Sequence, residues 1–331
     1  MQAFMRYVVG VDQGHSQTRA VVADEQGNIL GVGMSRGACH SRHGMGVAMG
    51  AIREAVQFAL AQAGVESQQI AILFCGLTCA DWLDEYALLR ENVRALGFCE
   101  DVRIANDCII ALRGGTSAPY GAIVIAGTGG NCAVRSPQGE EFIYGFYHDD
   151  DLQGGSALGR RALQAIYRSE TGREPATILT PRVLAMFGFG WVDDLLRADV
   201  EDRLDRGQIA HIAPVVSQAA HEGDAVAKSI LRAFGKGLAE LVTAGLRRFG
   251  MTDLDVEVVL SGSVFKGGTL IQEAMLAGIR AAAPKARLTN ARYEPVVGAA
   301  LLGLEAIGVK VDSEVAHNVD QSSNRLGLIR I

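Results

Sequence analysis

An acidic residue followed by a short loop of small and hydroxyl residues stands near the start of the chain. Asp12 ends a predicted strand, and a glycine and two hydroxyl residues follow it: Gly14, Ser16 and Thr18. Phosphate needs N–H and O–H donors close to the main chain, and Mg²⁺ needs a hard oxygen ligand, often through water. The loop therefore predicts a phosphate contact with Asp12 holding Mg²⁺. An ordinary hairpin whose turn is capped by Asp12 would use the same residues.

A second glycine-rich loop, Gly127-Thr128-Gly129-Gly130-Asn131, directly follows an apolar run. The chain contains neither the GxGxxG dinucleotide fingerprint nor the GxxxxGK[ST] phosphate loop. If phosphate binds, two separate loops must hold it. One glycine-rich turn is weak support for such a site, but two turns in equivalent places of a repeated unit support each other.

A carboxylate that could act as a base stands at Asp107, just after the strand predicted at Val102 to Ala105. Ligands of open α/β sheets lie at the carboxyl ends of the strands. A carboxylate there can accept a hydroxyl proton while the oxygen attacks a γ-phosphoryl group. The position also suits the N-cap of the helix that begins near Cys108, and the two roles can coexist.

A buried-type strand at Val258 to Leu260 ends in the small-residue turn Ser261-Gly262-Ser263-Val264. Small residues there would let a flat ring such as adenine approach the backbone. Plain strand-to-helix packing explains the same pattern and is the simpler reading when this turn is taken alone.

The elements that must position these residues occur twice. Three predicted strands, Arg6 to Val11, Arg19 to Asp24 and Ile29 to Met34, open the chain, and the same order starts again at Gly121. Alternating strands and helices follow each opening. The repeat predicts an α/β fold with a duplicated βββαβαβα unit, in two lobes whose loops face each other across a cleft. We place the lobes at 1–116 and 117–331, and a last helix at about 296–308 could pack back on the first lobe.

Composition restricts the classes of partner. The chain has 331 residues, 49% hydrophobic residues and a net charge of -6, and its 31 basic residues are scattered rather than clustered. This argues against nucleic acid as a partner. The N-terminal residues show no signal-peptide pattern, and no apolar run is long enough to cross a bilayer. We therefore expect a cytoplasmic protein.

The six cysteines predict reduced, buried thiols. Cys75 and Cys79 form a lone CxxxC pair without a second pair or a nearby histidine, which is weak as a metal signature. His40, His43 and His148 are not spaced as metal ligands either. The sequence therefore predicts no metal site apart from Mg²⁺ at Asp12.

Several of these motifs, taken together in their order, resemble the BadF/BadG/BcrA/BcrD ATPase family and its N-acetylglucosamine kinase and glucosamine kinase branch, over roughly residues 6–308. They are Asp12-x-Gly14, Asn106-Asp107, Gly127-Thr128-Gly129, Gly155-Ser156-Ala157, Gly223-Asp224, Ser261-Gly262-Ser263-Val264 and Pro295-Val296-Val297-Gly298. The resemblance implies the two-lobed actin-like ATPase fold that sugar kinases, Hsp70 and actin share, a ribonuclease H-like architecture. It also implies ATP and Mg²⁺ as cofactors and phosphoryl transfer to a sugar hydroxyl.

The resemblance also implies roles for individual residues. The phosphates and Mg²⁺ would contact Asp12, Ser16 and Thr128, and the base would be Asp107. The sugar would lie near Asn106, Asp107 and the loop Gly145-Phe146-Tyr147. The nucleotide wall would include Gly223, Gly262, Ser263 and Val264.

Two departures from the family pattern concern the sugar. The family usually has Gly-Asp-Glu-Gly-Ser where this chain has Leu152-Gln153-Gly154-Gly155-Ser156, so two carboxylates are missing. Gln153 could give weaker neutral hydrogen bonds, the acidic run Asp149 to Asp151 could substitute, or the substrate could differ. The asparagine that the family often places after the third strand is also absent, and His40 is the candidate replacement.

The sequence thus predicts an ATP-dependent carbohydrate kinase with N-acetylglucosamine or glucosamine as the favoured acceptor. A homodimer is compatible with this prediction. Two alternatives stay open: a family ATPase that couples hydrolysis to a partner protein, and a sugar-binding sensor with weak catalysis. The cysteines give no convincing set of cluster ligands for the first, and Asp12 and Asp107 would be expendable in the second.

Overall fold

Three antiparallel strands open the chain in the computed structural model, which describes residues 6–330 apart from the side chain of Leu83. They are β1 (Tyr7–Gln13), β2 (Gln17–Asp24) and β3 (Ile29–Arg36). Alternating β-branched residues form these strands because their side chains pack well on a pleated surface. Gly33 lets a helix lie against the third strand, since a Cβ there would stand 1.9 Å from the carbonyl oxygen of Ala55. The predicted three-stranded opening is confirmed.

The first sheet has the order β3-β2-β1-β4-β5, in which β4 and β5 run parallel to β1. The connecting segments of this region are helical. The elements are α1 (His40–His43), α2 (Met45–Ala63), β4 (Ile70–Leu77), α3 (Leu83–Arg94), β5 (Val102–Asn106) and α4 (Asp107–Arg113).

Each face of the first sheet has its own hydrophobic core. Side chains from β1 alternate between the faces, so Val9 packs in the core beneath α2 while Val8 packs in the opposite core. That opposite core is completed by the two last helices, α12 (Pro295–Ala306) and α13 (Ser313–Arg325). The close approach of α12 requires Gly10, because a Cβ there would lie 2.5 Å from the backbone nitrogen of Ala300.

The helix α13 occupies a polar stretch, Asp312 to Asn324, whose residue pattern carries no clear structural signal. Asp312 caps it by accepting hydrogen bonds from the N–H groups of Glu314 and Val315, at 3.0 and 3.1 Å. Its inward positions include Val315 and Val319, which lie four residues apart on one face. A narrow apolar stripe among many polar residues hid this helix from the sequence analysis.

The second sheet repeats the first. Its order is β10-β9-β6-β7-β8, the same arrangement as β5-β4-β1-β2-β3, and β9 runs parallel to β6. This correspondence confirms the duplicated unit. The remaining elements are β6 (Gly121–Ala126), β7 (Gly130–Arg135), β8 (Glu141–Ile143), α5 (Gly154–Glu170), α6 (Leu179–Phe187), α7 (Val192–Val200), α8 (Arg206–Ala210), α9 (Ile212–His221), α10 (Ala225–Arg248), β9 (Glu257–Ser261), α11 (Leu270–Ala282) and β10 (Arg287–Asn290).

The chain divides into two compact units whose boundaries differ from the predicted lobes at 1–116 and 117–331. Unit 1 runs to Gly121 and takes in Pro137–Ile143 and the described residues from Asn290 onward, and unit 2 comprises Ala122–Ser136 and Tyr144–Thr289. The C-terminal residues belong to unit 1 because α12 and α13 cover one face of the first sheet. Within residues 6–330, no helix combines the length and hydrophobicity that a membrane span requires.

Candidate active site

Asn106, not Asp107, caps helix α4. The side-chain oxygen of Asn106 accepts a hydrogen bond from the N–H of Cys108 at 3.0 Å, and Asp107 is the first helical residue. The Asn106 amide nitrogen donates to the Ala80 carbonyl at 3.1 Å and to Asp81 at 3.0 Å. The capping role considered for Asp107 is thus corrected to its neighbour, and the Asp107 carboxylate is left for another role.

Asp107 lies in an environment that favours proton uptake. Burial raises the pKa of Asp107 above its ordinary value, and the nearby Asp81 carboxylate raises it too. Hydrogen bonds from the Thr78 hydroxyl and the Cys108 N–H oppose that rise in pKa. A carboxylate with a raised pKa and a fixed orientation has the properties of a general base that works near neutral pH.

Asp12 is close enough to Asp107 for the two carboxylates to repel. Burial, and then this repulsion, raise the pKa of Asp12 to about 7, although Arg19 and Arg330 act in the opposite direction. Two partly buried carboxylates that repel each other form a site that a divalent cation would relieve. Asp12, the predicted Mg²⁺ ligand, and Asp107, the predicted base, therefore lie close together within unit 1.

The loop after β1 is a closed turn. The N–H of Gly14 donates to the Gln17 carbonyl at 2.9 Å, and Ser16 is exposed. Thr18, which the sequence predicts as a donor to phosphate, is fully buried, and its hydroxyl donates to the Arg36 carbonyl at 2.9 Å. The structure thus presents the Ser16 hydroxyl and uses the Thr18 hydroxyl inside the hairpin.

His40 is held beside acidic residues of the same unit. Its Nε2 lies 3.3 Å from Oε1 of Glu85. Burial, and then the nearby Glu85 carboxylate, raise the pKa of the neighbouring Asp81. Asp81 is exposed and is oriented by Asn106, so its carboxylate can accept a further hydrogen bond. The sequence analysis missed Asp81, although it follows the end of β4, the strand that neighbours β5 in the sheet.

The glycine-rich loop of unit 2 is fastened to the start of α5. The carbonyls of Gly127 and Thr128 accept hydrogen bonds from the N–H groups of Gly155 and Ser156, at 2.7 and 3.0 Å. Gly154 has a φ of +56°, and a Cβ there would stand 2.2 Å from the Gly129 carbonyl oxygen. The glycine that replaces the family's usual acidic residue is therefore required by this close approach.

Gln153 bonds within unit 2 through both polar atoms of its amide. Its Oε1 accepts hydrogen bonds from the Gly130 N–H at 3.2 Å and from Nη2 of Arg206 at 3.1 Å. Its Nε2 donates to the His148 carbonyl at 3.3 Å. The structure thus gives Gln153 a positioning role at the glycine-rich loop. Arg206, which has no motif around it, was missed by the sequence analysis.

The turn after β9 adjoins the same loop. Gly262 has a φ of +112°, and a Cβ there would lie 2.2 Å from the Ala126 carbonyl oxygen and 2.9 Å from the Gly127 nitrogen. Ser263 is exposed and Val264 is buried in the 3₁₀ turn that follows. The structure therefore brings two of the predicted nucleotide segments together.

Two further predicted segments lie in turns of unit 2. Gly223, with a φ of +105°, joins α9 to α10, and the next residue, Asp224, caps α10. Gly145-Phe146-Tyr147 form a 3₁₀ turn held by a hydrogen bond from the Gly145 N–H to the Asn131 side chain at 2.9 Å. Phe146 and Tyr147 are 75% and 76% exposed.

A cavity of about 1080 Å³ runs along α5 in unit 2. Its lining includes Gln153 and Ser156, but the residues of the Gly127 to Gly130 loop do not line it. Four arginines border it, and all have a partner: Arg160 pairs with Asp199, Arg161 with Asp151, Arg168 with Glu174, and Arg206 bonds Gln153. Because three of these charges are neutralised, the cavity does not offer the concentrated positive field that a nucleotide phosphate group needs.

Known proteins are similar to this chain over most of its length. The model of the BadF/BadG/BcrA/BcrD ATPase family matches residues 9–303. The N-acetylmuramic acid/N-acetylglucosamine kinase of Clostridium acetobutylicum is 24% identical over 301 residues, covering 90% of this chain and 98% of that protein. The N-acetyl-D-glucosamine kinase of Dictyostelium discoideum is 24% identical over 317 residues, with the same two coverages of 90% and 98%.

Solved structures show the same fold. A provisionally named N-acetylglucosamine kinase from Chromobacterium violaceum has a TM-score of 0.61 at 24% identity, covering 91% of this chain and 99% of that one. A ROK family glucokinase from Streptomyces griseus, solved with glucose and AMPPNP, has a TM-score of 0.53 at 20% identity, with coverages of 90% and 99%. The fold of this chain is the actin-like fold of the sugar kinases.

Proposed function

The chain belongs to the BadF/BadG/BcrA/BcrD ATPase family, and we propose that it is an ATP-dependent kinase of a small sugar or amino sugar. N-acetylglucosamine and glucosamine are the favoured acceptors, because the relatives that match most of the chain carry the names of such kinases. The observation that carries the proposal is Asp107, an oriented and partly buried carboxylate with a raised pKa at the end of β5.

Asp107 serves as the general base in this proposal. The acceptor hydroxyl gives its proton to the carboxylate while its oxygen attacks the γ-phosphorus, and the bond to the β-phosphate oxygen breaks to release ADP. Thr78 donates its hydroxyl to Asp107 and thereby fixes the carboxylate that receives the proton. Proton uptake by the base and release of the leaving group balance the reaction as sugar plus ATP giving sugar phosphate, ADP and a proton.

Asp12 would hold Mg²⁺ through water. The fit rests on the hard carboxylate oxygen of Asp12 and on the repulsion from Asp107, which a cation would offset. When bound, Mg²⁺ neutralises charge on the phosphates and favours departure of ADP. Ser16 would donate to a phosphate oxygen from the exposed turn after β1.

Unit 2 would bind the nucleotide. Its glycine-rich loop, Gly127-Thr128-Gly129, would contact the phosphates, and the adjoining Gly262-Ser263-Val264 turn would face the adenosine. Gly223 stays a predicted contact of the nucleotide wall. Gln153 and Arg206 would hold the loop in place without touching the sugar.

The sugar would be recognised mainly from unit 1 by the carboxylates and by His40. Asp107 and Asp81 can accept hydrogen bonds from hydroxyls, and Asn106 orients Asp81. Gly145, Phe146 and Tyr147 of unit 2 stay predicted sugar contacts.

The cytoplasm is the proposed location. All six cysteines are free thiols, which is typical of a reducing compartment, and ATP is available there.

A coupled assay of ADP release tests the proposed function. The purified chain is supplied with ATP and Mg²⁺ and with one acceptor at a time: glucosamine, N-acetylglucosamine, glucose or N-acetylmannosamine. We expect ADP release that depends on one of the amino sugars, with the phosphorylated sugar identified by mass spectrometry. Rapid ATP hydrolysis that no acceptor stimulates would instead support an ATPase that drives a partner protein.

A further inference from the structure

Three residues that are far apart in the sequence meet beside Asp107. His15 lies in the turn after β1, Cys39 precedes α1, and Cys79 follows β4. The ring nitrogen and the two sulfurs all lie within 4.8 Å of one another. Nitrogen and sulfur are the ligands that zinc and related soft ions prefer, in contrast to the oxygen ligands of Mg²⁺.

The three distances match one face of a tetrahedral zinc site. The sulfurs of Cys39 and Cys79 are 3.3 Å apart, and Nε2 of His15 lies 3.6 Å from the Cys79 sulfur and 3.9 Å from the Cys39 sulfur. Zn–S bonds of about 2.3 Å and Zn–N bonds of about 2.0 Å place two sulfurs about 3.8 Å apart and a sulfur and nitrogen about 3.5 Å apart. An ion could therefore bind with shifts of about half an ångström or less.

Thr78 contacts the ring nitrogen of His15 that does not contact the sulfurs. The Thr78 hydroxyl lies 3.3 Å from Nδ1 of His15. In the tautomer with its proton on Nδ1, His15 donates to this hydroxyl, and Nε2 has a lone pair for an ion at the two sulfurs. Metal-ligating histidines have this arrangement, in which the second nitrogen donates to an oxygen of the surrounding protein.

The backbone of Cys79 is a further independent sign. Its φ of +63° places a residue with a side chain in the left-handed region, where few residues other than glycine are found. Backbone strain of this kind clusters at functional sites. Cys79 is half-buried and His15 is exposed, so an ion can reach the three ligands from solvent.

We propose that His15, Cys39 and Cys79 bind one zinc-class metal ion, with a fourth coordination position taken by water or a ligand. Binding would release the two thiol protons and form one bond to nitrogen and two to sulfur. Through Thr78 the ion would restrain both the turn after β1 and the orientation of Asp107.

A disulfide between Cys39 and Cys79 is the competing account. An oxidant such as hydrogen peroxide would take two electrons and two protons from the thiols and join the sulfurs at about 2.05 Å. The disulfide account leaves the position of His15 beside both sulfurs unexplained, and the metal site explains it.

Cobalt titration of the whole purified chain tests the site. We expect one Co²⁺ per chain with a near-ultraviolet absorption band from thiolate-to-metal charge transfer, displaced by Zn²⁺. Cys39→Ser and Cys79→Ser should each weaken or abolish the band. Cys99→Ser is the matched control, because Cys99 is also partly exposed but donates to the Asp101 carbonyl outside the cluster, and its band should equal that of the wild type.

A second measurement on the wild type guards against variants that fail to fold. Alkylation mapped by mass spectrometry should show that Zn²⁺ protects Cys39 and Cys79 and leaves Cys99 equally reactive. Equal alkylation with and without Zn²⁺, or a band retained in both serine variants, would overturn the proposal. Metal binding is read without any turnover, so its failure leaves the kinase proposal intact and the reverse also holds.

Discussion

Asp107 and Asn106 divide between them two roles that one residue could have filled. Asn106 caps α4, while Asp107 keeps its carboxylate for a bond from Thr78 and for a substrate. An asparagine before an aspartate at the end of a strand therefore allows a helix start and a base to stand side by side.

Replacing Asp107 with Asn should remove the base and leave the shape unchanged. We expect the catalytic constant to fall by about 10²–10⁴-fold, the usual contribution of a general base. The KM for ATP should change little, because Asp107 is not among the proposed nucleotide contacts. The coupled ADP assay measures both constants, and Asp101→Asn, which deletes a surface carboxylate paired with Arg103, is the control. Turnover of Asp107→Asn at the wild-type rate would remove Asp107 from the proposed mechanism.

Asp12→Asn should stabilise the chain in a way that depends on pH. The pKa of Asp12 is raised to about 7 in the folded chain, so the stabilising effect of its protonation is full below about pH 4 and is lost as the pH rises through 7. The neutral variant avoids that loss. Thermal melts without Mg²⁺ should show a difference in Tm, variant minus wild type, that is small at pH 4 and larger at pH 8.

Two outcomes bear on this prediction. The same variant should lose Mg²⁺-dependent turnover, since Asp12 is the proposed ligand. A difference in Tm that stays constant from pH 4 to pH 8 would show that the Asp12 carboxylate is not destabilised in the folded chain.

The residues that could be predicted from the sequence lie at the ends of recognisable strands. The residues that could not be predicted have neighbours that are set by the tertiary fold. Asp12 lies near the end of β1, and Asp107 directly follows β5. Thr18 could not be assigned a partner, because the Arg36 carbonyl that it contacts lies on another strand. The cluster of His15, Cys39 and Cys79 spans more than sixty residues, so no local sequence motif predicts it.

At the scale of elements, the glycine-rich loop and α5 behave as one piece. Two backbone hydrogen bonds join them, and the Gln153 amide adds a third link at Gly130. The loop would thus contact phosphate without first having to order itself, which lowers the entropic cost of binding.

Gly154→Ala should break this junction. The new Cβ would lie 2.2 Å from the Gly129 oxygen, at a φ of +56°, so both the contact and the backbone conformation oppose it. Gly172→Ala is the matched control, because Gly172 has a φ of +71° with open space around it. We expect a loss of about 1–2 kcal/mol in the control from the left-handed backbone alone, and a clearly larger loss in Gly154→Ala.

Denaturant unfolding measures both variants. The KM for ATP should rise in Gly154→Ala and stay at the wild-type value in Gly172→Ala. Equal losses in the two variants would mean that the loop yields easily and is not fastened to α5.

The elements themselves were largely predictable, and the exception has a physical reason. Alternation and β-branching predicted β1, β2 and β3, and the strand predicted at Gly121 to Ala126 is β6. The helix α13 was missed because its stability comes from burying a few apolar positions against a sheet that the local sequence does not reveal.

At the scale of the whole molecule, the duplicated unit accounts for both sheets, and the domain boundary does not follow the duplication. The strand orders coincide when the second unit is laid on the first. The last helix of the second repeat, α12, nevertheless belongs to unit 1, because it packs on β1 through Gly10. A single domain boundary at residue 116 cannot describe a chain whose last helices pack on the first sheet.

Val319→Ala should report how much α13 contributes to the first unit. Val319 is 3% exposed in the core beneath α12, so loss of two methyl groups should cost about 2 kcal/mol of unfolding free energy. Val200→Ala is the matched control, since Val200 is 74% exposed at the end of α7, and its change should stay within about 0.5 kcal/mol. Urea unfolding compares the two, and equal effects would show that α13 is not part of the cooperative core.

The packing of α12 on β1 also sets an order of events during protein synthesis. β1 leaves the ribosome early, near residue 10, but the helix that covers its second face begins only at Pro295. Chains emerge from the N-terminus, and domains usually fold as soon as they are complete. One apolar face of the first sheet therefore stays uncovered while unit 2 is synthesised. The nascent chain would need a chaperone longest at the part that is translated first.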